Sequence, residues 1–181
     1  MLIVKKTLKE VNENLVKKLN KEKLISRGLF GIFSIGKIYS DLRYVGEPSN
    51  LIYKGIDSCI NENVIPIISP IGIDKKGEYY NINADSAFRF LVNYLRPYKI
   101  IILTKTGGVL KNEKLIKEIK KSELESLLSS GEVSDGMKLK LEEAKKIVFQ
   151  GFDVQMTNSN NLIKELFSRK GSGTYIFSRT D

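Results

Sequence analysis

The stretch from residue 84 to residue 108 reads ADSAFRFLVNYLRPYKIIILTKTGG. Its first half has the spacing of a helix with one apolar face, formed by Ala84, Ala87, Phe88, Leu91 and Leu95. Its second half, Lys99-Ile-Ile-Ile-Leu-Thr104, is dense in β-branched residues and predicts a buried strand that ends in a Thr/Gly loop. A helix that leads into a buried strand is the repeating unit of layered α/β sheets.

Helices and strands alternate in the rest of the sequence as well. The capping box Thr7-Leu8-Lys9-Glu10 predicts a helix that begins at Thr7, and Pro66 predicts either a sheet edge or a break in the strand ladder for the apolar run at 64–70. Further helices are expected at 49–62, 136–150 and 160–167, a hairpin within 28–46, and strands at 153–157 and 174–177. The alternation therefore predicts an α/β fold with a layered, mainly parallel sheet.

Composition excludes several classes of site. The chain of 181 residues has no histidine, which removes His-dependent triads and His–metal sites, so we expect no metal site. Cys59 is the only cysteine, which excludes disulfide frameworks and favours a reducing compartment. We expect a cytoplasmic protein, with an organelle stroma or matrix as the alternative. No run of apolar residues is long enough to cross a membrane, so no membrane partner is expected.

The net charge of +9 raises the question of nucleic acid. The 30 basic residues are mostly lysines spread over the whole chain, and aromatic residues do not alternate with them in a recognisable motif. A nucleic-acid partner is therefore the less favoured interpretation. A small ligand that carries phosphate accounts for the same charge.

Polar side chains gather where the strand around residue 80 leads into the next helix. Asn83 can cap that helix, and Asp85 in its first turn suits the positive end of the helix dipole. These structural roles explain both residues as well as a function does. They do not explain Asn81, a third polar residue two positions earlier.

Two segments could hold phosphate. The loop Thr104-Lys-Thr-Gly-Gly108 follows a buried strand, where open α/β sheets bind ligands, although a plain turn explains it too. After Ser134, a helix begins whose first two turns carry Lys138 and Lys140. Lysines there are unfavourable unless an anion sits at the helix N-terminus; the alternative is chance in a lysine-rich chain.

The glycines of Glu165-Leu-Phe-Ser-Arg-Lys-Gly-Ser-Gly-Thr174 either form a tight turn or let the backbone approach a ligand.

The sequence resembles the amino-acid kinase superfamily in five segments taken in order: VIPIISPIG, GEYYNINADSA, IIILTKTGGVL, GEVSDGMKLKLEEA and ELFSRKGSGT. The resemblance is strongest to the acetylglutamate kinases and extends back through Tyr44-Val-Gly-Glu47. These kinases share their kinase domain with the acetylglutamate synthases, and Gly107-Gly108 looks like the fungal branch.

The resemblance implies a three-layer αβα sandwich with a mainly parallel sheet, in one compact unit that lacks the first βα units of the family fold. It also implies phosphorylation of the side-chain carboxylate of N-acetyl-glutamate by ATP with Mg²⁺, in arginine synthesis. It implies that Asn81 holds acetylglutamate with Asn83 beside it, that Asp85 organises the active-site lysines, and that Lys140 stabilises the transferring phosphoryl group. The nucleotide-binding positions that it implies are Thr104, Gly107, Gly108, Asp135, Gly136, Met137 and Lys140. An arginine effector site in relatives matches Glu165, Gly171 and Gly173. Residues 1–85 would then belong to the amino-acid-binding part and residues 86–181 to the nucleotide-binding part.

The sequence also departs from the family pattern. The first βα units of the fold, with a Lys-x-Gly-Gly loop and a substrate-gripping arginine, have no counterpart, and Lys105 and Lys138 replace acidic and apolar residues of relatives. We therefore expect a homo-oligomer, or a complementary chain that supplies the N-terminal part. The alternative is a non-catalytic regulatory or structural subunit related to the kinase or the synthase.

Overall fold

The computed structural model describes residues 1–52, 55–168 and 170–178. The chain packs as two units, Met1–Phe90 and Leu91–Asp181. No helix within the described ranges is long and apolar enough to cross a membrane.

The first unit begins with a long helix and continues with alternating strands and helices. Its elements are α1 (Leu2–Lys21), β1 (Ser26–Leu29), β2 (Phe33–Ile38), β3 (Gly46–Leu51), α2 (Gly55–Asn61), β4 (Ile65–Ile68), β5 (Ile71–Ile73), β6 (Tyr79–Asn81) and α3 (Ala84–Leu95), which continues past the unit boundary.

Two sheets organise this unit. Strands β1 and β4 pair in parallel, and a second sheet has the order β3-β2-β5-β6, in which β2 and β5 are parallel. Strand β4 is paired on one side only within the described residues, which is the edge position, one of the two alternatives that Pro66 predicts. The fully buried side chains here include Phe33, Ile56, Ile71 and Ile82.

The second unit repeats the alternation. Its elements are β7 (Ile101–Leu103), β8 (Leu110–Lys111), β9 (Lys114–Leu115), β10 (Glu118–Lys120), α4 (Leu124–Ser129), α5 (Asp135–Phe149), β11 (Val154–Thr157), α6 (Leu162–Phe167) and β12 (Thr174–Phe177). Its main sheet has the order β10-β12-β11-β7, with β10/β12 and β7/β11 parallel and β11/β12 antiparallel. Parallel neighbours require crossover connections, so the α/β class predicted from the sequence is confirmed.

Two predicted elements are wrong in their bounds. Helix α1 begins at Leu2, and the bond from the Lys5 N–H to the Met1 carbonyl (3.0 Å) already belongs to it, so Thr7 lies inside the helix and does not cap it. The helix predicted at 49–62 is confined to α2, because residues up to Leu51 pair with β2 as the strand β3. Residues 53 and 54 of that predicted helix lie outside the described residues.

Candidate functional site

The polar residues that close β6 and open α3 lie in the first unit. The Asn83 Oδ1 atom accepts from the backbone N–H of Asp85 (2.8 Å) and of Ser86 (3.4 Å), which makes Asn83 the cap of α3. Asp85 is exposed in the first turn, and Asn81 ends β6 half-buried, its N–H bonded to the Tyr44 carbonyl at 2.8 Å. Neither the Asn81 amide nor the Asp85 carboxylate has a side-chain partner among the described residues. Both are therefore available to a ligand.

Glu47 supports this corner, and the residue patterns did not single it out as a site residue. Its Oε1 atom accepts from the Tyr39 hydroxyl (2.9 Å) and the Ser86 hydroxyl (3.3 Å). The hydrogen bond to Glu47, burial and the Glu47 charge together raise the pKa of Tyr39, while Arg89 acts in the opposite direction. Glu47 thus ties the β2–β3 connection to the first turn of α3. Its only sequence signal was its place in the Tyr44–Glu47 match.

In the second unit, the loop after β7 is fixed by its own threonines. The Thr104 hydroxyl donates to the Thr157 carbonyl (3.3 Å) and is buried, and the Thr106 hydroxyl donates to the Gly108 carbonyl (2.7 Å). Gly107 and Gly108 have positive φ values of 80° and 153°, a region that favours glycine. The loop conformation therefore depends on both glycines, and Thr104 faces the interior.

The start of α5 meets that loop at one cavity. A cavity of about 270 Å³ is lined by Thr106, Leu110, Asn112, Glu113, Glu132, Ser134 and Met137. The cavity joins the two segments that the sequence assigns to phosphate binding. Glu132 also lines it and forms an ion pair with Lys111 at 2.9 Å; the sequence did not predict Glu132, because its partner is distant in sequence.

Lys140 lies one helical turn beyond Gly136 on the same side of α5. Both residues are exposed, as is Asp135, and a Cβ added at Gly136 would meet open space. Lys140 has no ion-pair or hydrogen-bond partner in the described part of the chain. The free N–H groups of the first helical turn, the helix dipole and this ammonium group together form a place for an anion.

Lys138 lies in a different environment on the same helix. It lines a groove of about 650 Å³ between α4 and α5, together with Glu125, Glu142 and Lys145. The two lysines that the sequence placed together at the helix start thus have separate surroundings.

Glu165 in α6 is completely buried. Its Oε1 atom accepts from the backbone N–H groups of Ser172 (2.8 Å) and Gly173 (3.0 Å) and from the Ser172 hydroxyl (3.1 Å). Gly171 has φ +63°, and a Cβ there would lie 1.5 Å from Oε2 of Glu165. The segment predicted to hold an effector therefore wraps around the carboxylate with its own backbone.

A sequence profile of the amino acid kinase family matches residues 1–158. Two acetylglutamate kinases, from Xylella fastidiosa strain Temecula1 and Xanthomonas campestris, are 37% and 34% identical over 97% of this chain. The chain spans 44% and 43% of their lengths, so it covers less than half of either. The crystal structure of N-acetylglutamate synthase from Neisseria gonorrhoeae, with coenzyme A and N-acetyl-glutamate, is similar in fold: the TM-score is 0.79 at 16% identity, over 97% of this chain and 44% of that one.

Proposed function

This chain belongs to the amino acid kinase family, and from that premise we propose that it is an acetylglutamate-kinase-like phosphotransferase. The proposed reaction transfers the terminal phosphoryl group of MgATP to the side-chain carboxylate of N-acetyl-glutamate. Relatives named acetylglutamate kinase in several species support this substrate pair. Phosphoryl transfer relies on positioning and charge neutralisation, which suits a chain without histidine.

The observation that carries the proposal is the cavity shared by the Thr106 loop and the start of α5. Phosphates would lie against the first-turn N–H groups around Asp135 and Gly136, and Lys140 would neutralise the charge that develops on the transferring group. Met137, which is buried beside the cavity, would form its apolar wall. Thr104, Gly107 and Gly108 would act by shaping the loop rather than by direct contact.

The amino-acid substrate is assigned to the first unit. Among the residues that the structure describes, the side chains of Asn81 and Asp85 have no side-chain partner. Asn81 would hold acetylglutamate, and Asp85 would organise the active-site lysines. Asn83 already caps α3, so its contribution would be to keep that corner in place. Residues 1–85 and 86–181 would thus serve amino-acid binding and nucleotide binding respectively.

Magnesium would arrive with the triphosphate as part of the substrate. Val4, Val11 and Leu15 lie at helical spacing on α1 and are 40%, 57% and 43% exposed, which supports a homo-oligomer or a complementary chain. We place the protein in the cytoplasm, or in an organelle stroma or matrix. Glu165, Gly171 and Gly173 match the arginine effector segment of relatives, but Glu165 already holds the backbone of its own loop, so we propose that this chain alone does not respond to arginine.

Calorimetry with MgATP tests the nucleotide assignment. The wild type should bind, and Lys140→Ala should weaken binding by about 1.5–3 kcal/mol, the range for a lost charge-assisted contact. Lys138→Ala removes the same charge from the same helix but from the other groove, so it is the matched control and should change the affinity less than about threefold. Equal losses of MgATP affinity in the two variants would show that binding depends only on the net charge of the protein and would contradict the assignment of Lys140. A wild type that does not bind MgATP would favour the non-catalytic subunit.

A further inference from the structure

The buried Glu165 carboxylate fixes the short loop that leads into β12. One oxygen holds two consecutive backbone N–H groups, those of Ser172 and Gly173, and the Ser172 hydroxyl. Lys117 adds a bond to the Ser172 carbonyl at 2.7 Å. A charged acceptor with several donors is a strong local restraint. The position of Ser172 and Gly173 therefore depends on Glu165.

The restrained loop packs directly on the glycine loop after β7. A Cβ at Gly173 would lie 2.8 Å from the Gly107 carbonyl oxygen and 2.0 Å from that of Met156. A Cβ at Gly108 would lie 2.6 Å from Oγ1 and 3.0 Å from the backbone N of Thr174. The two loops are in backbone contact that leaves no room for a side chain on either.

One hydroxyl joins the two loops by hydrogen bonds. The Thr174 Oγ1 atom accepts from the Val109 N–H at 2.8 Å and donates to the Ile116 carbonyl at 2.6 Å. On the other side of the glycine pair, Thr106 bonds the Gly108 carbonyl and lines the 270 Å³ cavity. A continuous set of contacts thus leads from Glu165 through residues 172–174 to the wall of that cavity.

We propose that Glu165 is a positioning residue for the loop at 104–109, and that through residues 172–174 it sets the geometry of the cavity assigned to the nucleotide. The expected effect of Glu165 on nucleotide binding rests on the proposed function, whereas its expected effect on the loop does not. Glu165 touches no reacting group in this scheme.

Amide hydrogen exchange of the full chain tests the inference, with MgATP affinity measured on the same variants. Glu165→Gln keeps the shape and removes the charge, and Thr174→Val removes the linking hydroxyl from the other side. Both variants should speed exchange of the amides at 107–109 by about tenfold, the factor for one lost charge-assisted or buried hydrogen bond. The variant with the faster exchange should also bind MgATP more weakly.

Asp153→Asn is the matched control. The Asp153 Oδ1 atom accepts from the Ser178 N–H (2.9 Å) and hydroxyl (3.1 Å), and its Oδ2 atom accepts from the Tyr175 hydroxyl, so Asp153 restrains β12 with the same chemistry through Tyr175 and Ser178. It should leave exchange at 107–109 unchanged.

Unchanged exchange at 107–109 in Glu165→Gln and Thr174→Val, with faster exchange at 172–173, would overturn the inference, because Glu165 would then fix only its own loop. An equally fast exchange at 107–109 in Asp153→Asn would also overturn the inference, because exchange in the loop would then depend only on the stability of the whole fold. If the wild type binds no MgATP, the exchange results alone decide the inference, and the failure counts against the proposed function.

Discussion

Glu165 is a buried carboxylate that the fold keeps in its ionised form. Burial acts to raise its pKa, because a charge is poorly solvated in the interior. The backbone N–H groups of Ser172 and Gly173 and the hydroxyl of Ser172 outweigh burial, and they hold the pKa of Glu165 below its ordinary value. The residue therefore contributes to stability through hydrogen bonds to its charged form.

Glu165→Gln should lower the free energy of unfolding most near neutral pH. A carboxyl whose pKa is lower in the folded state stabilises it above the ordinary glutamate value of about 4.3, and this stabilisation is lost as pH falls through the folded-state pKa. The difference between wild type and variant should therefore shrink below about pH 4. Urea unfolding from neutral to acidic pH measures it. A difference that stays constant with pH would contradict the assignment of an ionised Glu165.

Short-range patterns predicted the residues whose partners are close in sequence. The cap at Asn83 and the helix start after Ser134 were recognisable because a cap and its N–H groups lie within three residues. Glu47 and Glu132 were missed as parts of the site because their partners, Ser86 and Lys111, lie 39 and 21 residues away; the separations follow from the residue numbers. No local pattern encodes such pairs.

At the scale of elements, α1 is attached through a polar residue. Asn12 is the buried residue of this helix, and its Nδ2 atom donates to the Ile67 carbonyl (2.7 Å) and to the Ser69 hydroxyl (2.9 Å). A Cβ at Gly28 would lie 2.1 Å from the Asn12 Oδ1 atom, so β1 also packs closely here. Asn12 thus connects α1 to the region of β4 and β5.

Asn12→Ala should destabilise the protein by about 1–3 kcal/mol, because it leaves the half-buried Ile67 carbonyl and the buried Ser69 hydroxyl without their donor. Asn14→Ala, on the exposed face of the same helix, is the control and should change stability by less than about 0.5 kcal/mol. Chemical denaturation of both variants gives the comparison. Equal values would mean that α1 is held by its apolar contacts alone.

The predicted elements differ in accuracy for a physical reason. Helix α3 and strand β12 match their predicted bounds, since each combines a clear apolar period with a glycine or cap at its start. The residues of β3 contain no strong β pattern and become a strand because β2 pairs with them. The start of α1 was misplaced because a capping motif inside a longer helix looks the same as one at its end.

The basic residues of the whole chain are spread along its sequence. Ion pairs such as Arg27–Glu62, Lys145–Glu125 and Lys170–Glu118 are spread along the chain and partly exposed, so each contributes little. A net charge of +9 raises the local concentration of small anions around the protein. This agrees with a phosphate-bearing ligand.

Millimolar arginine should leave the melting temperature of this chain unchanged. The Glu165 Oε1 atom that would receive a guanidinium or amino group already accepts three hydrogen bonds, and the residue is completely buried. Any remaining contact at the surface would contribute only about 0–1 kcal/mol. MgATP at about ten times its dissociation constant serves as the positive control and should raise the melting temperature by about 3–6 °C through binding to the folded state. A rise of several degrees with arginine that Glu165→Gln abolishes would show that the loop at 171–174 opens to admit the effector.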